Sequence, residues 1–148
     1  MSKMIIDLRD NPGGVLDEAC NMADMILPEG IITYTETKSG KRTDYNSDAE
    51  SLDIPIVILI NENSASASEV FTGALKDYGK ATVVGKKSYG KGIMQSVLPF
   101  YEGSGMSITV AKYYTPNGTC IHGIGIEPDV EVDMPDEYKD MYASMVCL

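Results

Sequence analysis

Residues 61–69 are the first of two segments whose residue types and spacing could carry chemistry. They read Asn-Glu-Asn-Ser-Ala-Ser-Ala-Ser-Glu and join an apolar run, typical of a buried strand, to a helical pattern. A strand-to-helix junction presents side chains and free backbone N–H groups at a helix N-terminus, where an anion is favoured. The same residues also predict an ordinary helix cap, with Ser64 or Ser66 capping and Glu69 closing a capping box on Ser66. Taken alone, the segment favours the cap.

The second segment, residues 85–92, is a loop rich in glycine and lysine that nearly matches two known motifs. It resembles the phosphate-binding loop G-x-x-x-x-G-K-[ST], but Gly92 stands where the motif has its Mg²⁺-binding hydroxyl. Residues 93–98 predict a strand, whereas a phosphate loop opens a helix. Residues 88–91 also match the motif S-x-x-K, which works on a helix that the flanking glycines disfavour. Nucleotide binding is therefore a distant alternative.

Histidine and cysteine indicate neither a catalytic triad nor a metal site. The one histidine, His122, leaves a single imidazole for a Ser–His–Asp triad or a zinc site. We interpret it as a surface or turn residue, with a Cys120–His122 pair as the minor alternative. The three cysteines, Cys20, Cys120 and Cys147, have no metal-ligand spacing and are predicted to be free, buried thiols. We expect no metal and no cofactor.

The composition is that of one globular domain, residues 1–148, with an excess of acidic residues. Hydrophobic residues make up 43% and charged residues 23% of the chain, and 12 Lys and Arg against 22 Asp and Glu give a net charge of −10. This charge argues against general nucleic-acid binding, which needs a basic surface. No apolar run reaches the ~18 residues of a membrane span. Lysines cluster between residues 76 and 91, and acidic residues cluster between 127 and 140. We expect the acidic segment to be a solvated face.

Strands and helices alternate along the chain, which indicates an α/β fold. Helices are predicted at residues 16–27 and 66–78 from the apolar spacing. The strand at 54–60 is continuously apolar and is predicted to be buried on both faces. Further predicted elements are strands at 4–8 and 81–84, a β-hairpin at 31–45, paired strands at 93–100 and 106–115, and a weakly helical tail at 134–148.

Four separated segments resemble the C-terminal processing proteases (tail-specific proteases), a family of serine peptidases that use lysine rather than histidine. The family's order and separations are matched from residue 4 to about 133. The resemblance implies a ClpP/crotonase-like α/β core with an additional β-hairpin. Family members usually carry a PDZ domain that is not recognisable here, so we expect the chain to be the peptidase core of a longer protein. The four segments are residues 7–14, residues 64–69, residues 88–92 with Gln95, and residues 115–118 with 125–129.

Carried over residue by residue, the resemblance makes Ser66 the nucleophile, Lys91 the general base and Gln95 the group that orients the lysine. A serine hydroxyl needs such a base, and an amine can serve only when neutral. The pKa of a lysine must therefore fall from about 10.4 through burial or nearby positive charge. Lys86 and Lys87 are close in sequence and are expected to contribute that charge.

The resemblance also implies an oxyanion hole made of backbone N–H groups. One donor would be Ala67, and the other Gly13 or Gly14, between which the sequence does not decide. A Gly-Gly pair allows the backbone to approach a substrate carbonyl closely. Asp77 falls on another acidic position of the family, and we expect it to be structural.

The function implied by the resemblance is a serine endopeptidase that cleaves unfolded or C-terminally exposed polypeptides. Its partners would be protein or peptide substrates, with homo-oligomerisation open, and full-length relatives suggest the bacterial cell envelope or extracytoplasmic space. The alternative is a catalytically latent fragment that binds peptides or self-associates through an exposed sheet edge.

Overall fold

The computed structural model describes residues 1–135 and 138, and the mixed α/β class is confirmed. The weakly helical tail predicted at 134–148 lies almost wholly outside the described residues, as does Cys147. No helix within the described part of the chain is long and apolar enough to cross a membrane. In chain order the elements are β1 (Met4–Asp7), α1 (Leu16–Asp24), β2 (Gly30–Thr37), β3 (Arg42–Ser47), β4 (Ile56–Ile60), α2 (Ala67–Asp77), β5 (Ala81–Gly85), β6 (Ile93–Pro99), β7 (Gly105–Tyr114) and β8 (Val130–Glu131).

The first sheet is parallel, with the strand order β1-β4-β5-β8. Helix α2 connects β4 to β5, and its apolar residues pack with those of α1 over one face of the sheet. Ile56, Ile58 and Ile60 point into this core and are buried, whereas Val57 and Leu59 are half-buried. The prediction that β4 is buried on both faces is therefore only partly right, because the described residues cover the second face incompletely.

The second sheet is antiparallel, with the strand order β3-β2-β7-β6. Strands β2 and β3 form the predicted hairpin, with Glu36 opposite Arg42 beside the turn. The rings of Tyr34 and Tyr114 stack across β2 and β7 with their centroids 4.9 Å apart. Strand β6 is an edge of this sheet.

Three loops meet at one edge of the parallel sheet. Strands β1, β4 and β5 are neighbours and run in the same direction, so their carboxyl ends lie side by side. Ligands of open α/β sheets bind outside these carboxyl ends. The segments that follow the three strands are residues 8–15, 61–66 and 86–92, which hold three of the four motif segments. The topology thus brings distant parts of the sequence to one place.

The core predicts a contrast between two isoleucines of the parallel sheet. Ile58 is 0% exposed at the centre of β4, whereas Ile5 in β1 is 71% exposed. We expect Ile58→Ala to lower the free energy of unfolding by about 2–5 kcal/mol, because it removes buried methyl groups and leaves a cavity. The matched variant Ile5→Ala should change it by less than ~0.5 kcal/mol. Urea denaturation followed by circular dichroism measures both, and equal losses would contradict this account of the core.

Candidate active site

Ser66 lies at the junction between β4 and α2 in a strained backbone conformation. Its φ is 56° and its ψ is −119°, and it immediately precedes the first residue of the helix. A non-glycine residue held at positive φ costs on the order of 1–3 kcal/mol and persists only where its surroundings impose it. Ser66 remains half-buried. This conformation presents the residue at the carboxyl edge of the sheet.

The neighbouring serines are committed to structural hydrogen bonds. The Ser64 hydroxyl donates to the carbonyl of Leu8 at 2.7 Å and accepts the N–H of Asn61 at 3.0 Å. The Ser68 hydroxyl donates to the carbonyl of Asn11 at 3.2 Å. Both side chains are buried. They tie the loop after β1 to the loop after β4, which leaves Ser66 as the most accessible of the three serines.

The loop after β1 runs directly against the Ser66 segment. The Ala65 N–H donates to the Asn11 carbonyl at 3.0 Å. Gly13 has a φ of +93°, and a Cβ built on it would lie 2.5 Å from the Ala65 carbonyl oxygen and 2.9 Å from the Ser66 Cβ. Only glycine allows this approach without displacing the backbone. Nothing lies within 4 Å of a Cβ built on Gly14.

Among the described residues of these two loops, the N–H of Ala67, which follows Ser66, and the N–H of Gly14, which follows Gly13, have no hydrogen-bond acceptor. The Gly13 N–H, in contrast, donates to Asn11 Oδ1 at 2.9 Å. The structure therefore distinguishes the two glycines that the sequence left equivalent. Gly13 provides the close approach, and Gly14 leaves its donor open.

Lys91 lies in the loop after β5 and lines a cleft at the same edge. The cleft has a volume of about 510 Å³. The Tyr89 N–H donates to the Ser64 carbonyl at 3.0 Å, which holds this loop against the Ser66 segment. Lys91 and Gln95 are both exposed. The cleft is lined by Asp10, Pro12, Asn63, Ala65, Tyr89 and Lys91.

Asp10 is a cleft residue that the sequence reasoning did not single out. Its φ is 57°, and its Oδ1 accepts from the side-chain amides of Asn61 at 2.9 Å and Asn63 at 2.7 Å. Its N–H donates to Asn61 Oδ1 at 2.9 Å. These bonds join the loop after β1 to the loop after β4 at the wall of the cleft, which Asp10 and Asn63 line. All three residues belong to the polar segments already noted, but their pairing depends on strand order.

Glu69 has a larger role than the predicted cap. It is 1% exposed, and its Oε2 accepts the Ser66 N–H at 2.8 Å, which is the Glu69 half of the capping box. Oε2 also accepts the Lys91 N–H at 2.8 Å, and Oε1 accepts the Ser88 hydroxyl and the Gly90 N–H, both at 2.6 Å. The three bonds to the lysine loop could not be read from local spacing. The sign that points to them is the burial of Glu69, which is visible in the structure and not in the sequence.

The basic and acidic clusters pair with each other at the surface, which corrects one expectation. Lys86 contacts Asp133 at 2.7 Å and Lys87 contacts Glu127 at 2.6 Å. Both lysines are therefore ion-paired at the surface and are not the unpaired cations expected near Lys91. The described acids of residues 127–133 are exposed, as expected of a solvated face, and two of them pair with the lysine loop at the surface.

Further ion pairing and hydrogen bonding fix the far end of helix α2. Lys76 Nζ lies 2.8 Å from Asp129 Oδ1. Burial raises the pKa of Asp129, but the Lys76 ammonium and the Val83 N–H lower it more, so that it falls below its ordinary value. Asp77 Oδ2 accepts the Asn117 N–H at 2.8 Å, which supports the expected structural role of Asp77.

The remaining sequence candidates lie outside this arrangement. His122 is exposed in a turn, as interpreted from the sequence. Cys20 is free and buried, and burial, with a smaller contribution from Asp17, raises its pKa to about 11. Cys120 is free but only half-buried.

No group of three or more metal-ligating side chains occurs among the residues described. Strand β6 begins at Ile93, so the helix required by a phosphate loop does not follow the lysine loop.

The two glycines predict different responses to the same substitution. Gly13→Ala should lower the free energy of unfolding by about 1–3 kcal/mol, because alanine is strained at this φ and meets the Ala65–Ala67 backbone. Gly14→Ala, with open space around its Cβ, should change it by less than ~0.5 kcal/mol. Thermal and urea unfolding of the two variants provide the comparison. A larger loss for Gly14→Ala would contradict the loop geometry.

Curated relatives of this chain are named as proteases. The chain is 50% identical over 140 residues to a probable CtpA-like serine protease of Staphylococcus aureus, covering 91% of this chain and 28% of that protein. It is 45% identical over 132 residues to a carboxyl-terminal-processing protease of Synechocystis sp., covering 88% of this chain and 31% of that protein. The chain therefore spans less than a third of the length of these relatives.

The fold comparison leads to the same family. A solved photosystem II D1 C-terminal processing protease superimposes with a TM-score of 0.84 and 38% identity, covering 90% of this chain and 35% of that chain. The sequence model of peptidase family S41 matches residues 1–132, which include all four motif segments. The chain belongs to peptidase family S41.

Proposed function

We propose that this chain is the core of a serine endopeptidase that cleaves unfolded or C-terminally exposed polypeptides through an acyl-enzyme on Ser66. The observation that carries the proposal is the position of Ser66. It is held at positive φ next to the open N–H group of Ala67 and against the loop that carries the open N–H group of Gly14, while Ser64 and Ser68 are buried in structural bonds. The relatives' names, which include carboxyl-terminal processing, support the substrate class.

In the proposed reaction, Ser66 Oγ attacks the scissile carbonyl and transfers its proton to the neutral amine of Lys91. The carbonyl oxygen, now negative, accepts from the N–H groups of Ala67 and Gly14. The lysine returns the proton to the departing amine, which leaves an acyl ester on Ser66. Water then attacks the ester, again with Lys91 as base, and releases the acid. Gln95 would orient the lysine as a neutral acceptor.

The exposure of Lys91 bears on how the site becomes active. An exposed amine is stabilised as the cation by water, and only desolvation or positive charge favours the neutral base. Lys86 and Lys87 are ion-paired, so desolvation remains the main route. A peptide lying in the 510 Å³ cleft would cover Lys91 and remove water from it. We therefore propose that substrate binding completes the base. The extracytoplasmic location stays a prediction.

Covalent labelling with a fluorophosphonate probe tests the roles of Ser66 and Lys91. Ser66→Ala should abolish labelling, because it removes the nucleophile. Lys91→Met keeps an unbranched side chain of similar length but removes the amine that acts as base. It should lower the labelling rate by about 10²–10⁴-fold. The rate is followed by intact-protein mass spectrometry, and the labelled residue is identified by peptide mapping.

Ser64→Ala is the matched control for this experiment. It removes a buried hydroxyl with two hydrogen bonds and should lower the free energy of unfolding by about 1–3 kcal/mol. The folded variant should still be labelled on Ser66. Loss of labelling in Ser64→Ala together with full labelling of Ser66→Ala would show that Ser66 is not the nucleophile. That result would overturn the proposal.

A second candidate function is self-association or peptide binding at the edge of the antiparallel sheet. Strand β6 is an edge strand, and Val97 on it is 70% exposed. Several further apolar side chains of the β6–β7 region are exposed, and an uncovered apolar edge is a template for pairing with another chain. The exposed residues are Val97, Leu98, Phe100, Tyr101, Met106 and Val110.

Sedimentation of the wild type and of Val97→Lys over a wide range of concentration tests this candidate. If β6 is an association edge, the wild type should form larger species as concentration rises, and a lysine on the edge should suppress them. Labelling of Ser66 should be the same in both proteins. A monomer at every concentration that also fails to bind extended peptides would exclude the candidate.

A further inference from the structure

We propose that the Glu69 carboxylate is a positioning residue that sets the distance between the Ser66 loop and the Lys91 loop. The proposal rests on the proposed function, because it assigns a role to Glu69 within that same site. Glu69 is buried and is not among the residues that line the cleft. It acts through the backbone of the two residues proposed as nucleophile and base.

The contacts join two loops through one functional group. Oε2 accepts the N–H of Ser66 and the N–H of Lys91, both at 2.8 Å. A single oxygen atom therefore lies between the backbones of the two residues. Oε1 accepts the Gly90 N–H and the Ser88 hydroxyl, each at 2.6 Å. Movement of either loop away from the other would break at least one of these bonds.

A third segment joins the same network through Ser88. The Ser88 hydroxyl donates to Glu69 and accepts the Ile126 N–H at 2.7 Å, while the Ser88 N–H donates to the Ile126 carbonyl at 3.1 Å. Residues around Ile126 belong to the fourth motif segment. This segment is thus connected to Glu69 through one hydroxyl group.

The chemistry of the group explains why a carboxylate is needed. All four partners donate, and a carboxylate has two oxygen atoms with enough lone pairs to accept every bond. Glutamine has nearly the same shape but one of its two terminal atoms is a donor. With that NH₂ group at the Oε2 position, the N–H groups of Ser66 and Lys91 would face a donor. With the amide reversed, the Gly90 N–H would face it.

The backbone strain at Ser66 gives the contact an additional role. Ser66 is held at a φ of 56°, and its N–H is bound by Glu69 Oε2. Hydrogen bonds to a charged acceptor are stronger than neutral ones, and they strengthen further in a buried site. The carboxylate therefore helps to hold the strained conformation and the lysine loop at the same time.

The test compares Glu69→Gln with Thr72→Val in fluorophosphonate labelling of the full chain. Thr72 is buried in the same helix, and its hydroxyl donates to the Ser68 carbonyl at 2.7 Å without reaching either loop. Glu69→Gln should lower the labelling rate at saturating probe by about 10²-fold, because a shift of roughly 1 Å between reacting groups has that effect. The probe concentration at half-saturation should change little. Thr72→Val should retain the wild-type rate.

Amide hydrogen exchange provides a readout that does not depend on reactivity. The N–H groups of Ser66, Gly90 and Lys91 donate to Glu69, so their exchange should accelerate in Glu69→Gln but not in Thr72→Val. Ser88→Ala removes one donor and should show a smaller effect on both measurements. It also provides the test if Glu69→Gln does not fold.

The outcomes separate the positioning role from the proposed function. A wild type that is never labelled on Ser66 contradicts the peptidase proposal, while faster exchange in Glu69→Gln would still support the contact between the loops. A labelled wild type with an unchanged rate and unchanged exchange in Glu69→Gln overturns the positioning role alone. Equal losses in Glu69→Gln and Thr72→Val would reduce Glu69 to a general contribution to stability, which also overturns it.

Discussion

The Glu69 carboxylate accepts four hydrogen bonds while only 1% of the residue is exposed to solvent. A buried charge is tolerated only where its lone pairs are satisfied, so its donors must stay in place for the core to be stable. Three of them are backbone N–H groups of Ser66, Gly90 and Lys91. The requirement to satisfy one acidic group thereby becomes a requirement on the relative position of two loops. The geometry of the candidate site depends on this constraint.

The parallel sheet supplies the framework on which that constraint acts. Neighbouring strands β1, β4 and β5 end at one edge, which places three loops from distant parts of the chain side by side. Short bonds then join them in pairs, from Ser64 to Leu8 and from Tyr89 to Ser64. Close backbone contacts at Gly13 and strain at Ser66 are tolerated because these bonds hold the surrounding segments. Rigid neighbours thus support a strained residue.

The exposed charges around the site have a structural role. Lys86 and Lys87 neutralise Asp133 and Glu127, which attaches the segment near β8 to the outside of the lysine loop. Exposed pairs of this kind contribute little to stability singly, and salt screens them. Lys86 and Lys87 are thus ion-paired and are not the unpaired cations expected beside Lys91. Lys91 is exposed, so under the proposed mechanism a molecule that occupies the cleft would have to remove water from its amine.

Local pattern determined the elements of this protein, and tertiary structure decided how they meet. Apolar spacing was sufficient for α2, a continuous apolar run for β4, and β-branched alternation around a glycine-containing turn for the β2–β3 hairpin. The motif segments and the candidate residues Ser66 and Lys91 were also identifiable from the sequence by resemblance. The sequence did not reveal that Ser64 and Ser68 are bound, that Gly14 rather than Gly13 leaves an open N–H, or that Glu69 reaches Lys91. These facts depend on contacts between residues far apart in the chain, and only strand order and close packing bring such residues together.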